Sequence, residues 1–229
     1  TYTDGSTDKK PLSDFVTLDK QPAIDAVNAK ADEKIKAIDG NDNLSPAEKA
    51  KAKAKVNEDK QAALDKIDEA TNKTAVDGAK KEGTDAVATV NPVAKEKAKQ
   101  AIADELKAKN AELDNRTDLS DKEKADAKAE AKKLADAELA KVNDQPDNKP
   151  TAAEAAEAQK AVDAAKDKGV ADVKTVNPIA KENALKAVAD ELAKKEKEIS
   201  EFANPKRFKE SVKKERKLKK LHLQCLLLF

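Results

Sequence analysis

The sequence predicts an all-α fold of tandem three-helix bundles that form an elongated rod, and three observations support this prediction. The segment Thr-Val-Asn-Pro-Val-Ala-Lys-Glu at residues 89–96 recurs at residues 175–182 with Ile in place of its second Val, which is typical of a repeat protein. Charged residues make up 40% of the chain and aromatic residues 2%, a balance typical of long helices with thin cores when alanine is abundant. Apolar residues recur every three or four positions, the spacing of one helix face.

The composition argues against several functional classes. The 229 residues include one Cys, one His, no Trp and no Met, so few side chains are suited to catalysis or to a metal centre. The net charge of +1 gives no overall attraction to nucleic acid or to a membrane surface. No apolar run approaches the roughly 20 residues of a membrane span. We therefore expect no enzyme activity, no catalytic, cofactor-binding or metal-binding residues, no cofactor, no nucleic-acid partner and no membrane span.

Five segments follow from the repeat pattern. Residues 1–21 have no sustained period and are interpreted as a linker or the end of a preceding unit. Residues 22–91 are predicted to form the first three-helix repeat and residues 92–177 the second. Residues 178–200 are predicted to form the first helix of a third repeat, and residues 201–229 an atypical basic tail. The expected partners of each repeat are the neighbouring repeats of the same chain.

The first repeat contains three predicted helices. The first begins at Pro22 and ends before Gly40. The second begins at Pro46, where Ser45 can serve as the cap and forms a capping box with Glu48. The third is predicted to begin at Thr74. Each carries one apolar stripe, on Ile24, Val27, Ala31, Ile35 and Ile38, on Ala52, Val56, Ala63, Ile67 and Ala70, and on Val76, Ala79, Gly83, Val87 and Val90.

The second repeat follows the same plan with one insertion. Leu119-Ser120-Asp121-Lys122-Glu123-Lys124 matches Leu44-Ser45-Pro46-Ala47-Glu48-Lys49 at an offset of 75 residues, and the offset grows to 86 after residues 143–150. This predicts 11 extra residues in a loop, where insertions cost little. Thr151 opens the third helix with a further capping box. Gly83 and Gly169 correspond, which indicates either a close helix contact or a local kink.

The Asn-Pro pair in each copy of the repeated segment predicts a helix start. Asn can cap free N–H groups, and Pro suits the first helical position because it has no N–H to leave unpaired. We therefore expect a helix to begin at Pro92 and another at Pro178. In each case the pair would end one repeat and begin the next.

The pattern fails after about Ser200, where the expected Leu-Ser-x-x-Glu-Lys is missing. Between residues 206 and 220 there are nine basic and two acidic residues, and residues 201–229 hold the His, the Cys and three of the four Phe. We predict that this tail is the product of a shifted reading frame or an aberrant end, with a true terminal capping segment as the alternative. A tail of this charge could also bind nucleic acid or anionic lipid, the less favoured interpretation.

The combined motifs resemble a known family. Leu-Ser-x-x-Glu-Lys opening the second helix, Ala-Val-Asp-x-Ala-Lys-x-x-Gly in the third and the Val-Asn-Pro joint look like the tandem surface repeat of unknown function of Gram-positive bacteria. That repeat occurs in large cell-wall-anchored adhesins of staphylococci, streptococci and lactobacilli, including matrix-binding proteins. The resemblance covers about residues 22–199 and implies an extracellular, wall-attached array linked to adhesion and biofilm. The chain shows no secretion signal and no Leu-Pro-x-Thr-Gly sorting motif, so attachment rests on the resemblance.

The strongest candidate for a chemical site is weak. His222 and Cys225 are three residues apart, which would place two zinc ligands on one helix face, but a structural zinc site needs four. A Cys-His nucleophile pair would use the same two residues without a core to hold them. Neither is adopted as a site.

Three functions remain from the sequence. The favoured one is a non-catalytic structural stalk or spacer in a bacterial cell-surface adhesin, because the repeats show no aromatic anchors. The alternative is a low-affinity multivalent binding module for extracellular matrix or plasma proteins, since many weak copies can give avidity. A hydrophilic stress protectant shares the composition, but the capping boxes and the long period favour defined folding.

Overall fold

The structure is a computed structural model that describes residues 18–226, with side chains as far as Lys220. It is 81% helical and almost without strands, which confirms the predicted all-α class of helical repeats. The helices are α1 Gln21–Asp39, α2 Pro46–Glu69, α3 Lys73–Ala88, α4 Glu96–Asn115, α5 Asp121–Asp144, α6 Ala152–Thr175, α7 Glu182–Ala203 and α8 Pro205–Leu226. Two short strands, β1 Asn91–Pro92 and β2 Asn148–Lys149, form one antiparallel pair.

The described chain divides into two compact units. The first contains the residues through Ala111 together with Ala129–Val176, and the second contains Glu112–Lys128 and the residues from Asn177 onward. The first unit therefore holds α1 to α3, most of α4 and α5, and α6. The second holds the α4–α5 loop with its flanking turns, α7 and α8.

Helices α1, α2 and α3 pack as a bundle around the stripes that the sequence predicts. Val27, Val56, Ile67 and Val87 are fully buried. Alanines fill the remaining contacts, and their small side chains let the helix axes approach closely. A Cβ added to Gly83 would lie 2.2 Å from the Cβ of Ala63, so this glycine marks a close helix contact.

The second repeat has its own core in the first unit. It centres on Ile102 of α4, Val142 of α5, and Val162 and Val173 of α6, all fully buried. A Cβ on Gly169 would lie 3.1 Å from the Cβ of Glu138 and from Ile102. Both corresponding glycines therefore occupy close contacts, which decides between the two sequence interpretations.

The helix starts agree with the sequence at the capping boxes and differ elsewhere. Ser45 and Thr151 form complete capping boxes, and Ser120 exchanges the same two hydrogen bonds with Glu123. Helix α3 begins at Lys73, because Asn72 and not Thr74 accepts the capping bond, from the Ala75 N–H at 2.9 Å.

The predicted helix starts at the two Asn-Pro pairs are wrong. Helix α4 begins at Glu96 and α7 at Glu182, four residues after Pro92 and Pro178 respectively. The intervening residues are not helical, because Asn91–Pro92 pairs as strand β1 at the first site. Helices α4 and α7 are capped by a side chain from elsewhere in the chain.

Helix α7 and the described side chains of α8, which extend to Lys220, are largely exposed. No residue of α7 is buried, and its large apolar side chains are more than half exposed. Residues 205–226 of the basic tail form α8, in which Phe208 and Leu218 are also exposed. Within the described residues, no helix combines the length and the apolar character needed to cross a membrane.

Candidate functional site at the junctions between repeats

Two seven-residue segments join the third helix of one repeat to the first helix of the next. We call residues 90–96 junction 1 and residues 176–182 junction 2. Both contain the Val-Asn-Pro motif, and both precede a helix whose first N–H groups need a hydrogen-bond acceptor from outside the helix. That acceptor comes from the capping box of the preceding repeat.

At junction 1 the acceptor is Glu48, which belongs to the capping box of α2. One carboxylate oxygen accepts a hydrogen bond from the Ser45 N–H at 2.8 Å. The other accepts from the N–H groups of Lys95 and Glu96 at 2.7 and 3.0 Å. One carboxylate thus caps two helices in consecutive repeats, and its charge lies where the positive end of each helix dipole favours it.

Junction 2 repeats this geometry with Glu123. Its carboxylate accepts from the Ser120 N–H at 2.9 Å and from the N–H groups of Lys181 and Glu182 at 2.7 and 3.0 Å. The Ser120 hydroxyl also donates to the Glu182 carboxylate at 2.5 Å. The shared cap is therefore a property of the repeat and not of one site.

The shared caps lower the pKa of both carboxyl groups. Hydrogen bonds from the backbone N–H groups of Ser120, Glu182 and Lys181 lower the pKa of Glu123 from 4.5 to about 2. For Glu48, partial burial opposes ionisation, but backbone hydrogen bonds from the junction and from its own capping box outweigh it, so that the pKa is still lowered. Both carboxylates are charged at neutral pH, the state that caps best.

Junction 1 is also held by the loop insertion of the second repeat. Strand β1 pairs with β2, with Asn91 opposite Lys149 and Pro92 opposite Asn148. The Val93 N–H donates to the Asp147 carbonyl oxygen at 2.9 Å. The extra residues that the sequence places in a tolerant loop thus fold back and pair with the junction.

The side chain of Asn91 is the centre of this contact and is only 7% exposed. Its Oδ1 accepts from the Lys34 Nζ at 3.0 Å, and its backbone N–H donates to the Asn148 Oδ1 at 2.6 Å. Its Nδ2 donates to the carbonyl oxygens of Ala88 at 3.0 Å, Lys149 at 3.2 Å and Pro150 at 3.2 Å. Asn91 therefore links α1, the end of α3 and the insertion.

A buried lysine adds an ionic contact to junction 1. Lys95 is 8% exposed, and its Nζ lies 2.5 Å from Asp147 and donates to the Gln145 carbonyl oxygen at 2.8 Å. Lys51 reaches the other oxygen of Asp147 at 2.6 Å. Hydrogen bonds from Lys51 and Lys95 lower the pKa of Asp147 to about 2, so the loop insertion carries a fixed negative charge.

Junction 2 uses an arginine. Arg116 makes a two-pronged contact with Asp118, with both N–O distances at 2.7 Å. Its guanidinium also donates to the Asn177 Oδ1 at 3.1 Å and, at 3.4 Å, to the Pro178 carbonyl oxygen. Asn183 donates to the Asp118 carbonyl oxygen at 2.9 Å. These bonds tie the α4–α5 loop to the start of α7 within the second unit.

A groove of about 530 Å³ runs beside junction 1. Its apolar wall is formed by Ala47, Ala52, Val90, Pro92 and Val93, and its charged wall by Glu48, Lys51, Lys55, Glu58, Lys95, Glu96 and Asp147. The groove therefore offers an apolar surface that is bordered by charged side chains of both signs.

The sequence identified the motifs of the junctions but not their chemistry. It assigned Glu48 to one helix only and assigned no individual role to Lys95, Asp147 or Asn148. The signal that links the motifs is their co-occurrence, since every Leu-Ser-x-x-Glu box precedes one Val-Asn-Pro-x-Ala-Lys-Glu segment. The rejected zinc pair, His222 and Cys225, lies beyond the last described side chain.

Residues 19–95 match the family model described as Domain of Unknown Function (DUF1542), a repeat domain found in Gram-positive surface proteins. No curated protein matches the chain, and no solved structure does. The matched segment contains the first repeat and runs through Lys95. It thus ends directly before the helix that Glu48 caps, and it contains one complete capping box together with the junction residues that follow it.

Proposed function

We propose that this chain is the structural stalk or spacer region of a bacterial cell-surface adhesin, non-catalytic, extracellular and attached to the cell wall. The observation that carries the proposal is the shared cap, in which Glu48 and Glu123 each accept two hydrogen bonds from the start of a helix in the following repeat and one from the Ser N–H of their own capping box. A junction of this kind can be added again and again without new chemistry.

The composition of the exposed surface supports a spacer. Its charged side chains form many i,i+3 and i,i+4 pairs along the helices, as between Lys55 and Asp59 or between Lys132 and Asp136. Pairs of this kind keep an alanine-rich helix soluble and add about 0.2–0.5 kcal/mol each. The match to a repeat domain of Gram-positive surface proteins supports the extracellular location.

The test is small-angle scattering of the full chain in dilute buffer. A stalk requires a maximum dimension well above that of a compact sphere of the same mass. The double variant Glu48→Ala with Asn91→Ala loosens junction 1, and we expect broader scattering profiles with unchanged helix content. Asn177→Ala, which changes an exposed junction residue, serves as the matched control. A compact profile for the unsubstituted chain would reject the stalk.

The groove beside junction 1 favours a second function, low-affinity multivalent binding of extracellular matrix or plasma proteins. Its mixed apolar and charged walls suit an extended peptide, and repetition would supply avidity. An array of matrix and plasma proteins probed with the full chain tests this. Binding of one defined protein that Ala54→Glu, at an exposed position of the groove wall, abolishes and Lys186→Ala leaves intact would support binding at the groove.

A further inference from the structure

An apolar stripe runs along α7 and is uncovered. The exposed fractions are 72% for Ile179 just before the helix, then 68% for Leu185, 68% for Val188, 58% for Leu192 and 67% for Ile199. Such a run of large apolar side chains on one helix face is typical of a surface that binds another protein segment. Helix α8 follows α7 in the chain but leaves the stripe exposed.

The corresponding side chains of α4 are covered. The sequence Ala101-Ile102-Ala103-Asp104-Glu105-Leu106 recurs as Ala187-Val188-Ala189-Asp190-Glu191-Leu192. Ile102 and Leu113 are fully buried and Val93 is 2% exposed, at the positions of Val188, Ile199 and Ile179. Helices α4 and α7 therefore differ in whether other helices cover these positions, and not in the pattern of their apolar side chains.

The cover of α4 has a defined chemistry. Ile102 belongs to one core cluster with Ala131 and Ala135 of α5 and with Val162 and Ala165 of α6. Alanine and valine side chains on two helices thus form the socket for Ile102, and Leu106 packs against the same cluster. Because α7 carries large apolar side chains at the equivalent positions, Val188 and Leu192, it fits a socket of the same kind.

We propose that the apolar stripe of α7 is a docking surface for an antiparallel pair of alanine-rich helices equivalent to α5 and α6. The start of α7 is already closed by Glu123 in the way that Glu48 closes α4, so the helix is positioned as it is in a complete repeat. The proposal concerns only whether the apolar stripe of α7 becomes buried. If it failed, the stalk proposal would still be tested separately by small-angle scattering.

Lys195 argues against a lipid surface or a purely apolar helix as the partner of the stripe. Lys195 lies in the middle of the stripe, between Leu192 and Ile199. Its counterpart in the complete repeat, Lys109, is only 6% exposed, so the helix pair of a repeat accommodates a lysine at this position. A lipid surface or a purely apolar helix would have to bury the ammonium group together with its ion pair to Glu198, 2.9 Å away, which is costly.

The experiment supplies the helix pair in the same chain. After Ser200, residues 201–229 are replaced by a copy of residues 115–175, and Val188→Cys provides the only thiol. The reference is the full chain with Val188→Cys and Cys225→Ser. We expect the thiol to react with a maleimide at least about 100-fold more slowly in the extended chain, since a buried thiol reacts only on local opening. Lys186→Cys, on an exposed position of α7, should react equally fast in both backgrounds.

A second substitution tests the docking independently of the thiol reaction. Val188→Asp should lower the melting temperature of α7 in the extended chain and leave the reference chain unchanged. Equal thiol reactivity in the two chains, or no effect of Val188→Asp in the extended chain, would overturn the proposal. A reference chain that sediments as a dimer with a protected thiol at position 188 would also overturn it, because the occupant would then be a second copy.

Discussion

The two junctions share one motif and one cap but differ in burial. At junction 1, Asn91 and Val93 are 7% and 2% exposed, whereas at junction 2 Asn177 is exposed and Ile179 is 72% exposed. Yet Glu48 and Glu123 make the same three hydrogen bonds with distances that differ by no more than 0.1 Å. The cap is therefore set locally, and burial depends on what packs against the junction.

This difference in burial shows which part of a junction forms without cover from other elements. The cap needs only the capping box of one repeat and the first N–H groups of the next helix. Burial of junction 1 also needs other parts of the second repeat. Asp147 and Asn148 of the loop insertion reach back to the junction, and Val93 packs in one core cluster with residues of α5 and α6. A junction with the cap but without this cover is positioned and open, as junction 2 is.

The largest predicted difference in stability comes from placing a charge at Val93 of junction 1 and at its counterpart Ile179 of junction 2. Val93→Asp should destabilise the chain by about 3 kcal/mol or more, because it removes buried apolar area and buries a carboxylate. Ile179→Asp at the equivalent position should change stability by less than about 0.5 kcal/mol. Urea unfolding followed by circular dichroism measures both. Equal losses would mean that Ile179 is covered in solution.

The asparagines give the next largest difference. Asn91→Ala removes a side chain that satisfies several buried groups and should cost about 2–3 kcal/mol. Asn177→Ala removes one contact to Arg116 at an exposed position and should cost less than about 0.5 kcal/mol. The same unfolding experiment compares them. If Asn177→Ala proved as harmful as Asn91→Ala, the junctions would not differ in the way described.

The sequence predicted the helices because their signals are local. The stripes on Val27, Val56 and Val87 repeat with the helix period, and Ser45 carries its capping partner three residues away. Such signals need no knowledge of the tertiary fold. They were sufficient for the all-α class and for the correspondence of the repeats.

The junctions were predicted wrongly because their partners are distant in the chain. Asn-Pro resembles a helix start, but the backbone of Asn91 is taken up by Asn148, and the helix is capped instead by Glu48, which is 47 residues before Lys95. Local propensity is overridden when a tertiary contact satisfies the same groups. Nothing in the periodicity of residues 143–150 indicates that Asn148 and Lys149 form a strand.

The shared caps predict a specific pH dependence at both junctions. The pKa of Glu123 is lowered from 4.5 to about 2, so its stabilising contribution is complete above pH 4.5 and disappears as the pH falls toward 2. The pKa of Glu48 is also lowered, so its contribution likewise decreases as the pH falls below 4.5. Glu48→Gln should cost about 1–2 kcal/mol at pH 7, and Glu123→Gln should weaken α7. The stability gap between each variant and the unsubstituted chain should close on acidification. A gap that is constant from pH 7 to pH 2.5 would contradict the role of the carboxylate charge.

The smallest predicted effect distinguishes the two ion pairs of Asp147, the exposed pair with Lys51 and the buried pair with Lys95. Lys51→Ala removes an exposed partner, and surface pairs contribute little to folding, so the unfolding midpoint should not change measurably. The pKa of Asp147 should nevertheless rise from about 2 toward its usual value of 3.8, because the hydrogen bond from Lys51 is the main cause of the lowering. It should not reach that value while Lys95 stays 2.5 Å away. Carboxyl chemical shifts followed by NMR over an acid titration measure this, with Lys55→Ala as a control on the same helix. An unchanged titration of Asp147 in Lys51→Ala would show that Lys95 alone lowers the pKa of Asp147.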